Sequence, residues 1–162
     1  MAIIVSLVAL AYQVADPPVY VLGRKPGTNV FRPRSKEHPE DETFADLLLL
    51  RLEGRVFFAN AGQIAQKIKL LIEEAQPKVV AFDLGPVFDL EYTALKMLTD
   101  GEKRQRERGI TLWLVAMNPR VLGVVQRSQL GAELGRDAMH FNLEIAVAKH
   151  LGTVARAEAP TR

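Results

Sequence analysis

Apolar residues in this chain gather into short, nearly continuous runs set between stretches of helical spacing. Leu47–Leu52 (LLLLRL), Lys78–Leu84 (KVVAFDL) and Ile110–Ala116 (ITLWLVA) have strand length and the unbroken apolar character of strands buried on both faces. Val19–Leu22 reads as a shorter strand. Glu53-Gly54-Arg55 supplies a turn into Val56–Ala59, so Leu47–Leu52 and Val56–Ala59 are expected to pair as a hairpin. Asn60 then caps a helix whose positions Ile64, Ile68, Leu71 and Ile72 share one face, and Gln76-Pro77 ends it. A second helix is expected from about Tyr92 to Arg108, with Ala94, Leu95 and Leu98 inside and Gly109 at its C′ position. Asn118-Pro119 reads as N-cap and first helical residue of a third helix ending near Leu130-Gly131. Met139–Phe141 forms a short last strand, and Asn142 caps a closing helix through about Leu151.

Strands alternating with helices through the second half predict an α/β fold with right-handed crossovers and a mainly parallel sheet. The early hairpin makes that sheet mixed. Residues 23–43 are polar and punctuated by Pro26, Gly27, Pro33 and Pro39, and so read as loop. The chain thereby divides into an apolar leader (1–15), a linker with the first short strand (16–43), a folded domain (44–151) and a flexible tail (152–162).

The leader, MAIIVSLVALAYQVA, is uncharged and apolar on every helical face, which calls for lipid or deep burial. As a helix it would reach roughly 22 Å at the usual rise per residue, short of the roughly 30 Å of a bilayer's hydrocarbon core. The end of a membrane span fits it better than a signal peptide, because no Lys or Arg precedes the apolar run. Arg24, Lys25, Arg32, Arg34 and Lys36 follow closely, and a basic segment just past a span is drawn to anionic headgroups.

Composition narrows the remaining choices. With 21 Lys+Arg against 19 Asp+Glu and 7% aromatics, neither a basic nucleic-acid face nor a base-stacking platform is indicated. The chain has no cysteine, which removes disulfides, thiolate metal sites and cysteine nucleophiles together. His38, His140 and His150 show no metal-ligand spacing. Neither a glycine-rich phosphate loop nor a Gly-x-Ser-x-Gly elbow is present.

Carboxylates do cluster in FDLGPVFDLEYTAL, at Asp83, Asp89 and Glu91. Structural duties account for them better than catalysis does. Asp83 ends a buried strand before a turn, whereas Asp89 and Glu91 precede a helix, where a carboxylate caps amides and meets the positive dipole end. No catalytic residue, metal or cofactor is assigned. Position carries more meaning here, since a loop leaving the carboxyl end of a parallel strand is where α/β sheets present binding surfaces. Phe88, Asp89, Glu91, Tyr92, Thr93, Ala94 and Leu95 make up that loop and the helix it opens, and Thr93 stands where a phosphate would act as a switch.

The run KVVAFDLGPVFDLEYTALKML resembles the signature of STAS domains, found in bacterial anti-sigma factor antagonists and in the cytoplasmic tails of SulP-type sulfate transporters. VYVLGRKPGTNVFRP followed by LLLLRLEGRVFFANAGQIAQKI is similar to the transporter branch, whose last span leads through such a linker into the domain. The resemblance implies a STAS fold with helices mainly on one face of the sheet. It implies a regulatory and interaction role at the cytoplasmic face of the membrane, as part of an integral membrane protein. The implied partners are the transmembrane domain of the same transporter and a cytosolic regulatory protein. Alternatives within the family are a free-standing anti-sigma antagonist-like phosphoswitch and a nucleotide-binding module. Thr93 occupies the place of the antagonists' phosphorylated residue, but Ala94 replaces their glycine and Tyr92 a small hydroxyl residue.

Overall fold

The computed structural model of the chain describes residues 18–53 and 60–158. Six strands, β1 (Val19–Arg24), β2 (Phe31–Pro33), β3 (Leu47–Leu52), β4 (Val79–Asp83), β5 (Thr111–Val115) and β6 (Met139–His140), form one sheet in the order β2-β1-β3-β4-β5-β6. The pairs β3–β4, β4–β5 and β5–β6 are parallel, whereas β1 is antiparallel to both β2 and β3. The helices are α1 (Ala61–Ala75), α2 (Tyr92–Glu107), α3 (Pro119–Gln126), α4 (Gln129–Leu134) and α5 (Leu143–Glu158), with a 3-10 turn at Arg136–Ala138.

β3, β4 and β5 are buried on both faces, which explains their unbroken apolar runs. On one face Leu48, Leu50, Leu52, Val80, Phe82 and Leu114 pack against Ile64 and Ile72 of α1, Ala94 and Leu98 of α2, Val121 and Val125 of α3, and Leu130 of α4. The alternate residues Leu47, Leu49, Ala81, Trp113 and Val115 face Leu143, Ala146 and Val147 of α5. The period-two alternation of a pleated strand thus feeds two separate cores. Among the described residues, four helices lie on one face and α5 is the only α-helix that covers the other.

Helix ends follow the chemistry of their residues. Gln76 terminates α1 in left-handed geometry (φ 45°), its N–H returning to the Ile72 carbonyl at 2.9 Å. Gly109 (φ 76°) follows α2, where only glycine adopts such an angle without strain. Asn118 caps α3 by accepting from the Val121 N–H at 3.0 Å, with Pro119 at the first position, and Asn142 caps α5 from the Ile145 N–H at 2.8 Å. Asn60 holds the N-cap position of α1 without a side-chain cap bond.

The sequence expectations need four corrections. The antiparallel part of the sheet comes from β1 and β2: β3 has β1 on one edge and β4 on the other, and Val56–Ala59, the expected hairpin partner, lies outside the described residues. The polar segment 23–43 is not a free linker, because β2 and an isolated bridge between Arg24 and Glu42 tie it to the sheet. The third helix breaks at Arg127-Ser128, where the Ser128 hydroxyl accepts from the Gly131 N–H and opens α4. α5 continues to Glu158, through much of the expected tail. The apolar leader lies outside the described residues; among those described, no helix is long and apolar enough to cross a membrane.

Candidate docking site at the carboxyl ends of the strands

Parallel pairing brings the carboxyl ends of β3, β4 and β5 to one rim, with Arg51 directly opposite Asp83 in register. Asp83, 3% exposed, accepts from Arg51 Nε at 2.7 Å and from the Gly85 N–H at 2.9 Å. Its carboxylate therefore neutralises a half-buried guanidinium and shapes the turn after β4, as expected of a strand-ending acid. Ala116, just past β5, takes a left-handed conformation (φ 58°) beside that turn. Arg51, Asp83, Gly85, Pro86, Ala116 and Asn142 contribute to the lining of a cleft of about 530 Å³ at this rim.

The loop from Leu84 to Glu91 is held from beneath. Leu84, Val87 and Leu90 are buried, and the Leu84 N–H donates to the Val115 carbonyl at 2.9 Å. Asn118 Nδ2 donates to the carbonyls of Val87 at 2.9 Å and Phe88 at 3.3 Å. Arg120 reaches Asp89 at 3.2 Å. One asparagine thus caps α3 and clamps the neighbouring loop, a link across some thirty residues that no local spacing reveals.

With those anchors set, Phe88 stands 84% exposed and Tyr92 80% exposed. Large apolar rings on a pinned backbone cost little ordering entropy when a partner covers them. Thr93 is half-buried in the first turn of α2, and Ala94 is only 1% exposed, its methyl packed in the core where the family pattern has glycine. Leu95 is partly buried against the same core. The expected capping role is not seen: Glu91 occupies the N-cap position of α2 without a side-chain cap bond, and Asp89 turns to Arg120. Among the described residues, no cluster of acids and histidines could hold a metal ion.

The basic segment is arranged differently. Arg24 pairs with Glu42 at 2.6 Å and lies 5.0 Å from the Phe44 ring, and Arg32 forks onto Asp41 through two bonds of 2.8 Å with Glu40 at 3.2 Å. The Arg32 hydrogen bonds hold Asp41 below the usual carboxylate range, and those to Asp41 raise Arg32 in turn. Lys25, Arg34 and Lys36 remain exposed.

A mixed sheet whose β4–α2 loop is pinned over α3 is the setting in which the family signature lies. The chain belongs to the STAS-domain family, whose model matches residues 38–148, more than half of its length. Its relatives are sulfate transporters: Sulfate transporter 1.2 of Arabidopsis thaliana is 27% identical over 157 residues, covering 91% of this chain and 24% of that protein. The chain therefore spans about a quarter of the length of such relatives. Among solved structures it has the fold of part of the murine Solute Carrier 26 family member A9 anion transporter (TM-score 0.75, 16% identity, covering 91% of this chain and 24% of that one). It is similar too to the STAS domain of a SulP transporter from Vibrio cholerae (TM-score 0.61, 20% identity, covering 74% of this chain and 92% of that one).

Proposed function

We propose that this STAS domain is the regulatory and interaction domain of a secondary anion transporter of the sulfate class, docking through the β4–α2 loop and the first turns of α2. The observation that carries the reading is the pair Phe88 and Tyr92, exposed on a loop whose every other large side chain is buried or paired. Support comes from the relatives, which are sulfate transporters, and from a match that runs beyond the family model into the segment joining leader and domain. The partner is the transmembrane domain of the same protein or a cytosolic regulatory protein on the same membrane face. A phosphate on Thr93 would add charge next to Tyr92 and weaken the contact.

The test is a photo-crosslinking amino acid at position 88 of the intact transporter in membranes. The expected product is an adduct with the membrane domain or one discrete cytosolic protein. Crosslinking no stronger than at exposed Lys36 contradicts the reading.

A further inference from the structure

The sheet face under α5 holds a cluster that the docking site does not use. Trp113 of β5 lies at its centre, with His140 of β6 edge-on at 4.6 Å between ring centroids and His150 of α5 at 6.4 Å. Lys149 of α5 places its Nζ 5.5 Å from the Trp113 ring and donates to the Asp137 carbonyl at 2.6 Å. His150 Nε2 donates to the Ala45 carbonyl at 2.7 Å, tying the middle of α5 to the segment before β3. Both ties depend on α5 lying flat on the sheet.

The two histidines are not equivalent. His150 has its acceptor, whereas His140 is 9% exposed and, among the described residues, its Nε2 has no hydrogen-bond partner. A neutral imidazole tolerates an unpaired nitrogen, but an imidazolium presents two donors and must find acceptors or water for both. Burial holds His140 below the ordinary histidine range, Lys149 on α5 adds to the effect, and Asp137 in the 3-10 turn opposes it. His150 on α5 is the second imidazole of the cluster.

We propose that α5 is an acid-released cover, which undocks from the β4–β5–β6 face when His140 takes up a proton. Release uncovers Trp113, Ala81 and Val115, which α5 buries in the docked form. The direction of the pH dependence follows from which form accepts the proton. The docked form resists it, while the open form accepts it near the ordinary histidine value of about 6.5. Docking is therefore at full strength above that value and weakens as pH falls toward the depressed value of the docked form. Within that window one proton enters per opening, so the opening constant rises toward tenfold per pH unit.

Amide hydrogen exchange on the full chain, with wild type and variants compared at equal pH from about 7.5 down to about 5.5, tests this. Equal pH cancels intrinsic exchange chemistry. The expected result is α5 protection in wild type falling relative to His140→Gln by up to about tenfold per pH unit, with α1 and α2 unchanged and His150→Gln behaving as wild type. The same pH response in His140→Gln, or loss of protection in all helices together, overturns the proposal. Should His140→Gln fail to fold, NMR titration of the wild-type His140 ring decides: a midpoint clearly below about 6.5 supports the cover, and one at or above it overturns it.

Discussion

The basic segment from Arg24 to Lys36 and the loop from Asp83 to Leu95 look alike as sequence, each a polar stretch with clustered charge. They differ in what folding leaves over. In the first, Arg24 and Arg32 are consumed by Glu42, Asp41 and Glu40, and the surplus is three solvated cations. In the second, Asp83 and Asp89 are consumed by Arg51 and Arg120, and the surplus is two exposed aromatic rings. The charges that draw attention in both stretches are structural. A solvated lysine offers a partner little net energy, whereas an exposed ring on a fixed backbone offers a hot spot. On the function proposed above, docking falls to the second region.

Substitutions at the consumed charges should damage the fold most. Asp83→Ala leaves Arg51 half-buried without its partner and the Gly85 turn without its acceptor, and should cost about 3 kcal/mol in denaturant unfolding. Asn118→Ala removes a helix cap and the clamp on the Phe88 backbone together, for about 2 kcal/mol, with faster amide exchange from Val87 to Asp89.

In the basic segment the sign of the pH effect is the test. Asp41 titrates below its unfolded value of about 3.9, so its pairing with Arg32 is fully stabilising above that pH and fades as pH falls below it. Thermal melts across that range should show Asp41→Asn flattening the acid limb. Wild-type and variant limbs that superimpose would remove Asp41 from the account. Phe88→Ser with Tyr92→Ser should shift stability least, within about 0.5 kcal/mol, because both rings stand in solvent.

The parallel half of the fold was legible because β3, β4 and β5 are buried on both faces and carry that fact as unbroken apolar runs. Asn118-Pro119, Asn142 and Gly109 were legible because capping is local chemistry. The edge hairpin was not: Phe31–Pro33 has three residues and no alternation, and Arg24 and Arg32 are tied to Glu42 and Asp41 in the segment that follows it. The break at Ser128 was missed because apolar positions continue through it to Leu130. At the β4–α2 loop the segment could be read, but the exposure of Phe88 could not. Val87, Phe88 and Leu90 look alike as apolar residues, and only the Asn118 clamp and the turn after Asp83 decide which of them faces solvent.

The most direct measurement is anion uptake by the proposed intact transporter carrying Phe88→Ser and Tyr92→Ser, beside a matched Arg34→Ser and Lys36→Ser variant at equal membrane abundance. If the rings are docking hot spots, the first variant should shift uptake by about tenfold or more while the second stays near wild type. Unchanged uptake in the first variant, or an equal loss in both, would contradict the assignment of docking to the β4–α2 loop.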